Sequence, residues 1–267
     1  MHVMHLGPPA VRHATRSAGI GPVAWVTVHP PHADGTGTLR IESATDRTSR
    51  GKGTEAARVG RGDGHLELVI GAVAVAAVVL EGFVVAHRPL AGRLDRWLQD
   101  LVPGSHNSFY VDVTWLRYPW VVGIGAVAVA VAAATLTRDW LRAIALLAGP
   151  LLAIVVAEEL IKPLVGRTLG GALTYPSGST TGATALAAAA ILATPARWRW
   201  WTGLVAGAYA LWMTVAVVAL RWHFPTDALA GALLGAGVVL ICDGLARWVS
   251  RFRARGSAIP RAAHRSG

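Results

Sequence analysis

The chain has 267 residues and a formal charge of +10, with 53% hydrophobic and 15% charged residues. Its apolar residues gather into several runs that approach the roughly 20 residues a helix needs to cross a bilayer, which excludes an ordinary soluble fold. The positive charge sits in the tails and in short loops between those runs, a pattern of membrane orientation that excludes a nucleic-acid groove. The single cysteine, Cys242, lies inside an apolar run and allows neither an internal disulfide nor a cysteine metal site.

Residues 1–65 are rich in Gly, Arg, His, Thr and Ser, without a sustained apolar period. They predict a disordered basic tail, or a start codon further downstream. The apolar stretch at 20–26 is too short and too broken for a signal-peptide core. A first span follows at about 66–86. It carries Glu81, which is costly in lipid and is expected to face other helices. Leu94, Trp97, Leu98 and Leu101 then recur at helical spacing and predict a short helix lying on the membrane surface.

The second span is predicted at about 115–136, with Trp115, Tyr118 and Trp120 at its start as an interfacial belt. The third lies at about 140–161. The fourth, at about 180–196, is short and rich in Ala, so it should pack closely against its neighbours. The fifth and sixth lie at about 200–220 and 227–246. The reading is therefore an all-α polytopic bundle of six transmembrane helices over 66–247, followed by a basic tail over 248–267. Six spans put both termini on one side. That side carries 18 Lys and Arg against 7 on the other. The positive-inside rule then places both termini in the cytoplasm of a multi-pass cell-membrane protein.

Nearly all the polar chemistry of the apolar region falls into three segments within 158–227, and this topology puts all three on the extracytoplasmic face. The first ends the third span and holds Lys162 and Arg167. Two cations of different geometry suit an oxyanion, although snorkelling to headgroups is the plainer use. The second, Pro176-Ser177-Gly178-Ser179, leads into the fourth span. A helix start offers free N–H groups to a phosphate, or is simply capped by its serine. The third holds Arg221, His223 and Asp227. A carboxylate four residues from an imidazole can fix its tautomer and leave the other nitrogen to attack, or the two can be an interfacial His and a helix cap. No second His or carboxylate has metal-ligand spacing.

In order and placement these segments resemble the type 2 phosphatidic acid phosphatase and haloperoxidase superfamily, in its membrane lipid-phosphatase branch. The likeness covers about 140–245, and the six-span layout extends it to 66. The resemblance implies that His223 attacks phosphorus to form a phosphohistidine and that Asp227 orients it. It implies that Lys162, Arg167, Ser177, Gly178 and Ser179 hold the phosphoryl group. It also implies no cofactor and no metal, and a lipid phosphate or diphosphate as substrate. The chain departs from the family pattern at three points. Leu169-Gly170 stands where an Arg-Pro is expected, and Val217 stands where the third motif has an Arg, for which Arg221 is the available substitute. Ser179 replaces the motif-two His that protonates the leaving group, and His106 in the first outer loop is a remote stand-in. Two other readings stay open: a silent membrane protein that binds lipid phosphate, favoured by Ser179, and a small transporter using Glu81, Glu158 and Glu159.

Overall fold

The computed structural model describes residues 64–88 and 90–256, and it is helical almost throughout. The tail expected over 1–65 lies outside the described residues except for its last two. Helix α1 is His65–Val85, the short α2 is Arg93–Leu101 and α3 is Ser108–Thr114. A single 3-10 turn, Trp115–Arg117, leads into α4, Pro119–Thr137. Helix α5, Trp140–Val155, widens into a π segment at Val156–Ile161 and closes with the turn Lys162–Val165. Pro163 lies two residues past the end of that segment and has no N–H for the Glu159 carbonyl within it, which is where a helical ladder is easily disturbed.

The bundle is completed by α6, Gly178–Ala193, α7, Arg199–Ala219, and α8, Pro225–Gly256. Five helices are long and apolar enough to cross a membrane: His65–Val85, Pro119–Thr137, Trp140–Val165, Arg199–Ala219 and Pro225–Arg253. Large apolar side chains point away from the bundle, among them Phe83, Trp140 and Val205, each at least 70% exposed. A water-soluble fold would bury them, whereas an integral membrane protein turns them to lipid. Trp115 and Trp120 sit at the start of α4, and Trp198, Trp200 and Trp201 sit around the start of α7. They form aromatic clusters of the interfacial kind.

One predicted span is as short as expected and another runs longer. The fourth is α6, only 16 residues long. At 1.5 Å per residue it measures about 24 Å, short of a hydrocarbon core of about 30 Å. It is an internal element packed against α4, α5, α7 and α8, with eight of its residues buried. Its alanines and threonines allow that close approach, as their small size predicts. The sixth span does not stop near 246, because α8 continues to Gly256 and makes the first part of the expected tail helical. Arg247, Arg251 and Arg253 suit the negative end of a helix dipole, and Arg247 donates to Asp243 one turn back, at 2.7 Å.

Helix α8 is the central strut, packed on α1, α5 and α6. Near its C-terminal end Asp243 is fully buried and accepts from Arg142 Nε at 2.6 Å and from Arg247 Nε. Arg142 also donates to the Leu192 carbonyl at the end of α6, at 2.6 Å, and Arg247 lies 3.6 Å from Glu67 of α1. Four helices are thus tied at that end. The three polar segments meet at the other.

Candidate functional site

The first and second segments are joined by a hairpin, β1, Thr168–Leu169, paired antiparallel with β2, Ala172–Leu173. Its turn is Gly170-Gly171, at φ 59° and 87°, the pair of positive angles that a two-residue hairpin requires and that only glycine adopts freely. The hairpin delivers Thr174 and Tyr175 to the bundle. Tyr175 is fully buried and donates to the Val78 carbonyl of α1 at 2.6 Å.

Thr174 presents its carbonyl to His223 Nδ1 at 3.0 Å. A carbonyl oxygen only accepts, so Nδ1 carries the proton and Nε2 keeps its lone pair. His223 stands in the short connection between α7 and α8. Burial first, and then the nearby positive charges of Lys162 and Arg117, push its pKa down to about 4 against a partial upward pull from the Thr174 carbonyl. The ring is therefore neutral at neutral pH. Thr174, and not Asp227, holds its tautomer.

Asp227 is engaged elsewhere. Its Oδ1 accepts from Arg167 Nη1 at 2.6 Å, its Oδ2 accepts from the Phe224 N–H at 3.2 Å, and its carbonyl accepts from the Ser177 N–H at 2.9 Å. It pins the second segment to the start of α8 and so acts as a positioning residue. Arg167, expected to hold phosphate, is 1% exposed. Its Nη2 donates to Asp95 of α2 at 2.6 Å, its Nη1 also donates to Thr226 at 2.8 Å, and its guanidinium lies 4.1 Å over the Phe224 ring. Both ends of the fork are spent on fixed partners. Asp95 is saturated as well, accepting from the Thr226 N–H and hydroxyl and from the Gly92 N–H. Burial alone would raise its pKa, but these bonds together hold it below the usual carboxylate value. Glu81 of α1 lies within electrostatic reach of Asp227, Asp95 and Arg167.

Ser177 is also fully buried. Its hydroxyl accepts from the Thr180 N–H at 3.4 Å and from the Thr180 hydroxyl at 3.2 Å, so it caps α6. Arg221 turns away from the site. At φ 58° it directs Nη2 toward the carbonyls of Gln99 and Val102 at the end of α2, at 3.5 and 3.4 Å. Gly178 and Ser179 are half-buried at the first turn of α6. Their N–H groups belong to the set that has no partner within a helix.

Lys162 lies beside that turn and donates to both carboxylate oxygens of Glu158, at 2.8 and 2.7 Å. Glu158 Oε1 rests against the Gly178 Cα so closely that a Cβ there would collide with it. Arg117, in the turn before α4, is exposed and lies 4.7 Å over the Trp222 ring, next to His223. The structure thus gathers His223, Lys162, Gly178 and Ser179 with Glu158 and Arg117, and builds Arg167, Asp227 and Ser177 into the wall behind them. His106 is exposed on the loop between α2 and α3. Sequence reasoning missed Arg117 and Thr174, since a lone interfacial arginine and a main-chain carbonyl carry no motif. It weighed Glu158 only as a transport residue, although the i, i+4 spacing to Lys162 was a readable signal. No family model matches this chain, and no curated protein or solved structure does either.

Proposed function

We propose that this protein is a membrane phosphatase acting on lipid phosphates or diphosphates through a phosphohistidine at His223. The observation that carries the reading is the His223 ring itself. It is neutral, its Nδ1 proton is committed to the Thr174 carbonyl, and it sits within the field of Lys162 and Arg117. Nε2 attacks phosphorus and the leaving-group oxygen departs. Water then attacks the phosphohistidine and releases phosphate. Lys162, Arg117 and the first N–H groups of α6 hold the phosphoryl oxygens and offset the charge that develops. The fold belonging to this reading is a six-crossing bundle of the phosphatidic acid phosphatase type, with α6 as the short crossing, both termini cytoplasmic and the site extracytoplasmic.

Ser179 sets the expected substrate range. General acid catalysis is typically worth about 10²–10⁴-fold, and a serine hydroxyl supplies little of it at neutral pH. The reading therefore favours leaving groups that need no proton, such as the inner phosphate of a polyprenyl diphosphate or an activated aryl phosphate.

The test is phosphate release by the purified chain in detergent with chelator present, on phosphatidate, a polyprenyl diphosphate and an aryl phosphate. The unaltered chain should release phosphate, His223→Ala should release none, and Ser179→His should gain most on phosphatidate. Silence of the unaltered chain with activity in Ser179→His identifies a lipid-phosphate binder that Ser179 has disabled. Silence of all three removes the enzymatic reading.

A further inference from the structure

We propose that α2 is a lipid-docking helix, which rests Leu94, Trp97 and Leu101 in the bilayer interface and takes anionic phospholipid headgroups at Arg93 and Arg96. Its faces are arranged the wrong way round for a helix that serves a core. At about 100° per residue, Leu94, Trp97 and Leu101 share one face and Arg93, Arg96 and Asp100 share a second. Asp95 marks the third, flanked by the half-buried Leu98 and Gln99. An ordinary surface helix turns its apolar stripe inward and its charges outward. Here the carboxylate is turned inward, with Asp95 2% exposed, while Leu94, Trp97 and Leu101 are 52%, 60% and 61% exposed. Leu90, just before the helix, is exposed as well.

Two observations name lipid as what covers the apolar face. The first is depth. Helix α2 has nine residues, about 14 Å, and is too short to cross a bilayer. It is fastened where two membrane-crossing helices end. Asp95 accepts from Thr226 at the start of α8, and the Gln99 and Val102 carbonyls face Arg221 just past α7. The Ser105 N–H donates to the Ala219 carbonyl, the last residue of α7, at 3.0 Å. That is headgroup level, and the exposed Trp115, beside Arg117 over the Trp222 ring, marks the same end. The second observation is charge. Arg93 and Arg96 are exposed next to the apolar face, and neither is in an ion pair among the described residues. With Arg88 they outnumber the exposed Asp100 on that side. Apolar area flanked by arginines is what binds a helix to an anionic lipid surface, because guanidinium donors match phosphate oxygens. The fastenings at Arg221 and Thr226 lie two residues before His223 and three after it, so docking of α2 sets the His223 connection at headgroup level. The docking stands apart from the phosphatase reading. Joined to it, the two mean that substrates arrive from the membrane surface and not from free solution.

The test uses the full chain, with Cys242→Ala, in nanodiscs of phosphatidylcholine and phosphatidylglycerol. Leu94→Cys, Leu101→Cys and Arg96→Cys, made singly, carry a thiol-linked fluorophore, and each chain is checked for a cooperative thermal transition. Asp95 is left in place, so the buried fastening is kept. Nitroxide on the lipid acyl chains should quench the labels at 94 and 101, and aqueous iodide should quench the label at 96. Nitroxide-labelled phosphatidylglycerol should quench the label at 94 more than nitroxide-labelled phosphatidylcholine in equal amount, and Arg93→Gln with Arg96→Gln should abolish that difference. Iodide reaching 94 and 101 as readily as 96 would place the helix in water. Shielding of 94 and 101 from both quenchers would place a protein on the face. A lipid preference that is absent, or unchanged in the double variant, would remove the role of the arginines. Each of these results overturns the proposal. Quenching requires no turnover, so a chain that shows the docked pattern but releases no phosphate loses the phosphatase reading alone.

Discussion

Arg167 is taken fully out of water and His223 in part, and they meet that condition in opposite ways. Arg167 stays charged and recruits two carboxylates, whereas His223 gives up its charge and keeps one carbonyl. Removing one member of a buried ion pair typically costs about 3–5 kcal/mol, because the partner is left unpaired in low dielectric. Arg167→Ala should therefore lower stability by about that amount, seen as a lower melting temperature in detergent. Arg221→Ala, which removes two long bonds at the surface, should cost under about 1 kcal/mol. Equal losses in the two variants would contradict the buried role of Arg167. For His223 the folded pKa of about 4 lies below the ordinary 6.5. Between those values the unfolded chain binds the extra proton, so this group makes stability rise with pH across that window and leaves it flat above. The acid limb of the rate profile that belongs to His223 should fall near pH 4. A limb near 6.5 would mean a ring open to water.

At the scale of elements, what could be read in advance was whatever is written locally. Unbroken apolar runs gave α1, α4, α5 and α7 to within a few residues, because a span is a matter of length and composition. The serine before α6 was legible as a cap, and it caps. Pairings distant in the chain were not legible. Asp95 meets Arg167 across 72 residues, and nothing in the surface pattern of α2 marks Asp95 as its one buried member. That pairing is why Arg167, sensible as a phosphate ligand on charge and position, is structural. The shortness of α6 was legible, but its reason was not. It is enclosed by four helices, so the bilayer does not set its length. The extension of α8 past 246 escaped notice because arginines end a hydropathy run without ending a helix.

The whole molecule has a charge asymmetry that predicts its placement. With Cys242 replaced by Ala, Ala172→Cys on the hairpin beside the site and Arg197→Cys in the turn before α7 provide single exposed thiols at the two ends of the bundle. The distribution of Lys and Arg predicts that an impermeant maleimide labels position 172 on intact cells and reaches 197 only after lysis. The reverse pattern would put the site in the cytoplasm and turn attention to substrates of the inner leaflet.

The two anchored carboxylates of α8 act together as a gauge of its register. Asp227 and Asp243 are sixteen residues apart, about 24 Å along the axis, and each is held by an arginine from another part of the chain. Helix α6 shares both fastenings, its first end through the Ser177 N–H on the Asp227 carbonyl and its last through Leu192 on Arg142. A slip of α8 by one residue would shift it about 1.5 Å and turn it about 100°, breaking both fastenings at once. The helix is thus built to stay still. Rocking or pistoning of one half against the other, the motion that carries a solute from face to face, would have to break buried charge at both ends. A catalyst that lets substrate come to it from the surrounding lipid requires no such movement.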